Sequence, residues 1–178
     1  NYTIANMLRL EGNRPLSITL LKETLTYCLK YEITEYAKLI SSQLAEYYSI
    51  QKIEEKKREK FQRIFDESAI IDKFERIANS YYYELSNMFM KKESMEGVFL
   101  NKLRRYSKEL SVLQVEVTSY GFNHKAFSIN STLFIFEKKY ELAIENATTA
   151  LNFFKKKPFL TIVDVFTFSV DKLWHICY

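Results

Sequence analysis

Apolar residues recur every three or four positions along most of the 178-residue chain. This spacing places them on one side of an α-helix, and it is the main sequence signal of amphipathic helices. It predicts a first helix over residues 2–11, a second from Pro15, which suits a first helical turn, and a third from Thr34. Only three glycines and two prolines interrupt the pattern, too few for the turns of a β-sandwich or barrel. The sequence therefore predicts an all-α fold.

The middle of the chain predicts a long helical hairpin over 51–120. Nothing forces a break in 51–92, so this segment forms either one helix, about 60 Å long at 1.5 Å per residue, or two helices with a break near 66–72. In 99–120, apolar residues are spaced alternately by four and three, and Gly121 then lies where a left-handed C-cap would be. The spaced residues are Phe99, Leu103, Tyr106, Leu110, Leu113, Val117 and Tyr120. This seam needs an apolar partner, either the preceding helix packed antiparallel or a second copy of the chain.

The C-terminal third predicts another helix pair over 122–155. Asn123 is a predicted N-cap, and Pro158 bars continuation of the second helix. The last segment, 159–178, is strongly apolar and rich in β-branched residues. Because it has no second strand to pair with, it is predicted to be a helix at the end of the stack. The chain starts at Asn1 without Met, so we expect a fragment of a longer protein.

Small residues are placed regularly in the segment 133–151. An aromatic residue, Tyr140, follows a short turn, and small residues follow it at Ala143, Ala147 and Ala150. Small side chains let two helix backbones approach closely, while large residues of the partner helix fill the remaining groove. This arrangement resembles a tetratricopeptide repeat. The first 31 residues resemble it in outline, with the corresponding places taken by Ala5, Gly12, Ser17 and Leu21.

The resemblance implies stacked antiparallel helix pairs of a tetratricopeptide-like α-solenoid, with a single domain over 1–178. The repeat-like pairs are 1–31 and 122–155, and between them 51–120 departs from the family because its helices are too long for a repeat of about 34 residues. Membership of the family would imply that a protein or peptide binds in a groove between helix pairs.

Charge and cysteine content narrow the function classes. The net charge is +4, and acidic residues lie among the basic ones, whereas a dedicated nucleic-acid binder concentrates its positive charge. No run of about 18 apolar residues occurs, so no membrane span is predicted. Cys28 and Cys177 lie far apart without a partner motif, which is typical of thiols in a reducing compartment. We therefore expect a cytoplasmic protein, and nucleic-acid binding is not the favoured function.

Catalytic chemistry has no support in the sequence. His124 and His175 are the only side chains that titrate near neutral pH, and neither has a Cys, Asp or Glu at metal-ligand spacing. Three isolated glycines cannot form a phosphate-binding loop. We expect a protein that is not an enzyme and needs no cofactor or metal.

Two groups of residues are candidates for partner contact. At least one of the three consecutive tyrosines 81–83 is expected to be exposed, because successive helical residues point about 100° apart, and exposed tyrosines suit protein contacts. Basic residues surround the turn at 93–97, where they form either a phosphate-binding cluster or a solvated hairpin tip. The basic residues are Lys91, Lys92, Lys102, Arg104, Arg105 and Lys108. The predicted contact residues are Tyr81, Tyr82, Tyr83, Lys102, Arg104 and Arg105.

The leading functional hypothesis is a non-catalytic protein–protein interaction scaffold that binds a peptide or protein segment in a helical-repeat groove. The alternative is a sensory or dimerisation module of a larger, transcriptional type of regulator. It rests on the apparent truncation of the chain and on the heptad seam, which could join two copies in a homodimer. Nucleic-acid binding through the hairpin 91–108 is a weaker hypothesis, since the charge excess is mild.

Overall fold

The computed structural model describes residues 1–51, 54–90 and 96–157, and in these ranges it contains seven α-helices and no strand. The helices are α1 (Tyr2–Leu10), α2 (Arg14–Lys30), α3 (Thr34–Gln51), α4 (Glu55–Met90), α5 (Glu96–Leu113), α6 (Tyr120–Phe136) and α7 (Tyr140–Phe154). The predicted all-α fold is confirmed for these described residues. The helix predicted over 159–178 lies outside the described residues.

Helix α4 is continuous over 36 residues, so the segment forms one helix and not two. Its sequence contains neither glycine nor proline, and the acidic residues around 66–72 do not act as caps. Asp72, for example, is buried and forms an ion pair with Lys38 of α3. Asp72 therefore serves a contact with a neighbouring helix, while Asp66 accepts from Gln62 within α4.

Three of the connections between helices share one geometry. Each has three residues, and the middle one, Gly12, Glu32 or Lys138, has a positive φ of 84°, 53° or 57°. The next residue donates its backbone N–H to a carbonyl five residues back, as in a Schellman motif. These bonds join Asn13 to Leu8 (2.9 Å), Ile33 to Cys28 (2.8 Å) and Lys139 to Phe134 (2.8 Å). The α1–α2, α2–α3 and α6–α7 connections are therefore the same kind of turn.

The chain divides into two compact units, Asn1–Lys73 and Phe74–Tyr178, which we call unit 1 and unit 2. In unit 1, α2 packs on both α1 and α3. Ala5 and Ser17 are buried at the α1–α2 crossing, where the Ser17 hydroxyl donates to the Ala5 carbonyl at 2.7 Å. The small residues therefore lie where two backbones approach closely, as their spacing predicts. The single domain over 1–178 stays a prediction.

In unit 2, α6 is the central helix and packs on both α5 and α7. It is buried on nearly all sides, and its buried amides are hydrogen-bonded. Asn130, for example, accepts from the Ser107 hydroxyl at 2.7 Å and donates to Ser111 and Gln114. On the other side, Ala143 and Ala150 of α7 are fully buried. Predicted small residues again lie at a close helix crossing.

Contacts also fix the directions of α4, α5 and α6 within unit 2. Tyr81 contacts Tyr106 and Glu109, whereas Glu84, further along α4, contacts the earlier residue Lys102, so α4 and α5 are antiparallel. Helices α5 and α6 are antiparallel too, because side chains early in α5 contact side chains late in α6 and the reverse. The contacting pairs are Phe99–Phe136, Ser107–Asn130 and Gln114–Asn123. The second half of α4 and α6 therefore run in the same direction.

The predicted end of the hairpin at residue 120 is wrong, because α5 ends at Leu113. Val117 lies in the segment that connects α5 to α6, and its side chain is buried in the core of unit 2. It continues the heptad spacing although the helix has already ended. Ser119 is the N-cap of α6 and accepts from the Phe122 backbone N–H at 3.4 Å. Gly121 is therefore a helical residue and not a C-cap, and Asn123 lies within the helix instead of capping it.

Asn123 has a different role from the one its sequence position suggested. Its side-chain amide donates to the Val117 carbonyl at 2.6 Å and to the Ser119 carbonyl at 3.0 Å. These bonds hold the α5–α6 connection against the first turn of α6. A short polar side chain favours such local bonds to the backbone, and that preference also makes it a common cap.

Candidate functional site

An open apolar groove of about 600 Å³ lies in unit 2 between α4, α5 and α6. The second half of α4 and the parallel helix α6 form its two walls, and α5 contributes to its floor. The lining residues are Tyr82, Leu85, Ser86, Phe89, Met90, Phe99, Leu103, Ser128, Ile129, Thr132, Ile135 and Phe136. On α4 the lining runs from Tyr82 to Met90, and the eight residue steps between them correspond to about 12 Å of helix.

The groove has a buried floor and an exposed apolar rim. Leu103 and Ile129 are buried at its floor. By contrast, the side chains of Phe89 and Met90 are 65% and 79% exposed, and Phe136 is 42% exposed across from them. Large exposed apolar side chains gathered around one concave surface are typical of interaction sites, whereas single exposed ones are ordinary.

The polar groups of the groove are few. Ser86, Ser128 and Thr132 bring hydroxyls to the lining, and the Thr132 hydroxyl donates to the Ser128 carbonyl at 2.9 Å. At one end, the ammonium of Lys125 lies 4.3 Å from the ring centroid of Tyr82 and 5.9 Å from that of Tyr83. Lys125 is half-buried, and this burial lowers the pKa of its ammonium. Lys125 is not itself a lining residue, but its contact with Tyr82 places a cation beside one end of an apolar groove.

The three predicted tyrosines have three different environments. Tyr81 stacks on Tyr106 at 3.8 Å and donates to Glu109 at 2.5 Å, which, together with burial, raises the pKa of Tyr81 to about 12. Tyr82 lines the groove, and Tyr83 is 59% exposed. Tyr81 thus joins α4 to α5, while Tyr82 belongs to the candidate site. Their role in partner contact stays a prediction.

The three basic residues predicted to contact a partner, Lys102, Arg104 and Arg105, are each paired with a carboxylate. Lys102 forms an ion pair with Glu84, and this bond, with one from Tyr106, lowers the pKa of Glu84. Arg104 contacts Glu137, with 2.6 Å between Nε and Oε1. Glu137 also pairs with Lys139, and the two cations lower its pKa.

The third predicted basic residue, Arg105, is placed over a ring. Its guanidinium lies 4.8 Å from the ring centroid of Tyr106, and its Nε is 3.8 Å from Glu109. None of the three predicted cations lines the groove, and their charges are compensated locally. Lys91 and Lys92, at the predicted basic tip, lie outside the described residues.

Sequence reasoning did not single out Leu85, Phe89 or Lys125 as candidates for partner contact. The available signal was helical spacing: residues 82, 85, 86 and 89 share one face of α4, and 125, 128, 129 and 132 share one face of α6. That these two faces lie across from each other is a tertiary relation. It follows from the antiparallel packing of both helices on α5.

The histidine and the cysteine that lie in the described ranges pack against other side chains. His124 lies against Tyr120 and Phe154, with ring centroids 5.6 Å and 6.3 Å apart. Cys28 is buried, and burial raises the pKa of its thiol. Within the described ranges, no group of His, Cys, Asp or Glu side chains could hold a metal ion. His175 and Cys177 lie outside them.

Neither a protein-family model nor a curated protein nor a solved structure matches the chain. The tetratricopeptide resemblance therefore stays a prediction from the sequence. None of the helices in the described part of the chain combines the length and the apolar character that crossing a membrane requires.

Proposed function

We propose that the protein is a non-catalytic interaction scaffold that binds a peptide or protein segment in the groove between α4 and α6. The observation that carries the proposal is the open groove with its exposed apolar rim in unit 2. Phe and Met, the residue types at this rim, are enriched at protein interfaces, and Met adapts its shape to different partners. A peptide laid between the walls would cover Phe89, Met90 and Phe136.

The proposed architecture is a tetratricopeptide-like α-solenoid. Two features support it: the shared left-handed turn at Gly12, Glu32 and Lys138, and the buried small residues at the α1–α2 and α6–α7 crossings. A scaffold of this type needs no catalytic group, cofactor or metal. We place it in the cytoplasm, where the free thiol of Cys28 would stay reduced.

The alternative, a sensory or dimerisation module, stays a prediction with weaker support than before. The heptad seam that suggested it is buried within unit 2, where Phe99, Leu103, Tyr106 and Leu110 belong to the core. Tyr106 and Leu110 are not part of the groove lining, so a second copy could reach this part of the seam only by opening that core.

Selection from a randomised heptapeptide library, with the full chain as bait, tests the scaffold proposal. Thr132→Arg puts a large charged side chain into the groove and is expected to reduce the enrichment of bound peptides at least about tenfold. Thr148→Arg is the matched control: each threonine donates to the carbonyl four residues earlier, but Thr148 lies on the exposed side of α7.

Circular dichroism first establishes that both threonine variants fold as the wild type does. Peptides that bind wild type and Thr148→Arg but not Thr132→Arg support the proposal. Equal enrichment on all three proteins, or no enrichment over empty beads, overturns the proposed function.

A further inference from the structure

Resting on the proposed function, we infer that Lys125 selects the occupant of the groove, which is an apolar peptide segment carrying a carboxylate at the end that lies beside Tyr82. Two observations lead to this inference: the position of the ammonium at the end of the groove, and its lack of a carboxylate partner among the residues that the structure describes. The first observation indicates where the ligand binds, and the second indicates that it carries a negative charge.

The position of Lys125 follows from helical spacing. It precedes Ser128 by three residues and Ile129 by four, so it lies one turn before them on the face of α6 that lines the groove. Its ammonium lies over the ring of Tyr82, which is the first lining residue of α4. Because α4 and α6 run in the same direction, both walls begin at this cation.

The electrostatic state of Lys125 differs from that of two cations of α5, which do not line the groove. Lys102 and Arg104 have carboxylates in contact, whereas the interactions of Lys125 are with the faces of two tyrosine rings. A half-buried ammonium has lost part of its hydration, and ring faces replace only part of it. A ligand carboxylate would restore the lost interaction through a charge-assisted hydrogen bond.

The shape of the groove favours a peptide as the occupant. Sites for small molecules enclose most of the ligand surface, whereas this groove is open along a rim formed by Phe89, Met90 and Phe136. About 12 Å of wall accommodates roughly four residues of extended chain at 3.3 Å each. Apolar side chains on these residues would pack on Leu103 and Ile129, and the carboxylate would reach Lys125 at the end.

The test compares the residues selected from the heptapeptide library by wild type, Lys125→Met and Lys125→Glu. We expect wild type to enrich peptides that combine apolar residues with Asp or Glu. Lys125→Met should keep the apolar selection and lose the acidic one, and Lys125→Glu should select Lys or Arg instead. Lys108→Met is the matched control, because it removes the same charge from an exposed lysine of α5 that does not line the groove.

A second measurement uses one enriched peptide and its isosteric amide. Changing its Asp or Glu to Asn or Gln should weaken binding to wild type and to Lys108→Met about tenfold, and binding to Lys125→Met less than about twofold. Circular dichroism checks the fold of each variant. If Lys125→Met is not folded, Lys125→Gln takes its place in the same comparison.

The outcomes separate the two proposals. An acidic preference that persists in Lys125→Met, or an apolar selection without acidic residues in wild type, overturns the role of Lys125 and leaves the scaffold in place. Absence of enrichment by wild type over Thr132→Arg overturns the scaffold and this inference with it.

Discussion

Lys138 occupies the left-handed position of the α6–α7 turn, where its φ is 57°. A side chain with a Cβ atom costs about 1–2 kcal/mol in this conformation, whereas glycine adopts it freely. Replacing Lys138 by glycine would remove this cost, but glycine also makes the unfolded chain more flexible. That flexibility offsets roughly 0.4–1 kcal/mol of the stabilisation. Because the side chain of Lys138 is exposed, little else changes. We therefore expect Lys138→Gly to raise the free energy of unfolding by about 0.5–1 kcal/mol.

Urea and thermal unfolding followed by far-UV circular dichroism measure this effect. For a chain of this size, the expected gain corresponds to a rise of about 1–4 °C in Tm. Lys138→Ala is the control, because it removes the same charge and side chain but keeps the Cβ atom. The difference between the Gly and Ala variants isolates the conformational cost.

The equivalent turn at Gly12 allows the opposite substitution, in which a residue with a Cβ atom replaces glycine. Nothing lies within 4 Å of a Cβ atom added there, so Gly12→Ala costs only backbone strain, about 1 kcal/mol. If Lys138→Gly is no more stable than Lys138→Ala, or if Gly12→Ala loses nothing, the shared left-handed turn described here is wrong.

Two further predictions concern the polar contacts of unit 2. Asn130→Ala should lower the free energy of unfolding by about 2–3 kcal/mol, because it leaves the buried Ser107 hydroxyl without its acceptor; urea unfolding that shows a loss below about 0.5 kcal/mol would argue against this network. The raised pKa of Tyr81 means that the folded state holds this proton more tightly than the unfolded state. The resulting stabilisation should be complete below pH 10 and be lost as the pH rises through about 12. Urea midpoints over this range should fall less in Tyr81→Phe, and identical pH profiles would contradict the Tyr81–Glu109 bond.

Local signals predicted most of the helices and the close helix crossings. Pro15 lies in the first turn of α2, Gly12 adopts the left-handed turn, and the small residues Ala5 and Ser17 are buried. Each of these features depends on a residue type whose preference is set by its own backbone or by its size. Such preferences are visible in a single sequence.

The end of α5 was not predictable from spacing alone. Val117 continues the heptad period but lies in the connection before α6. A buried apolar residue contributes to a core from a turn as well as from a helix, so periodicity can continue past a helix end. The better signal was Ser119, a residue type that is strongly preferred as an N-cap.

The candidate site was only partly predictable, because its walls are brought together by packing on α5. Tyr82 was among the predicted contacts, but the sequence could not distinguish it from Tyr81, which contacts α5. Nor could it show that Arg104 meets Glu137, 33 residues further along the chain. A charge compensated by a residue far along the chain is a tertiary property. A single sequence therefore could not show that the predicted basic residues are paired with carboxylates.

The enclosure of α6 sets the order in which unit 2 can open. Because α5 and α7 cover two of its sides and side-chain hydrogen bonds join it to both, the backbone N–H groups of α6 reach water only when a neighbouring helix separates. Deuterium should therefore enter α6 last, with protection close to that of global unfolding. Since α6 also forms one wall of the groove, the docking surface would retain its shape while outer helices fray.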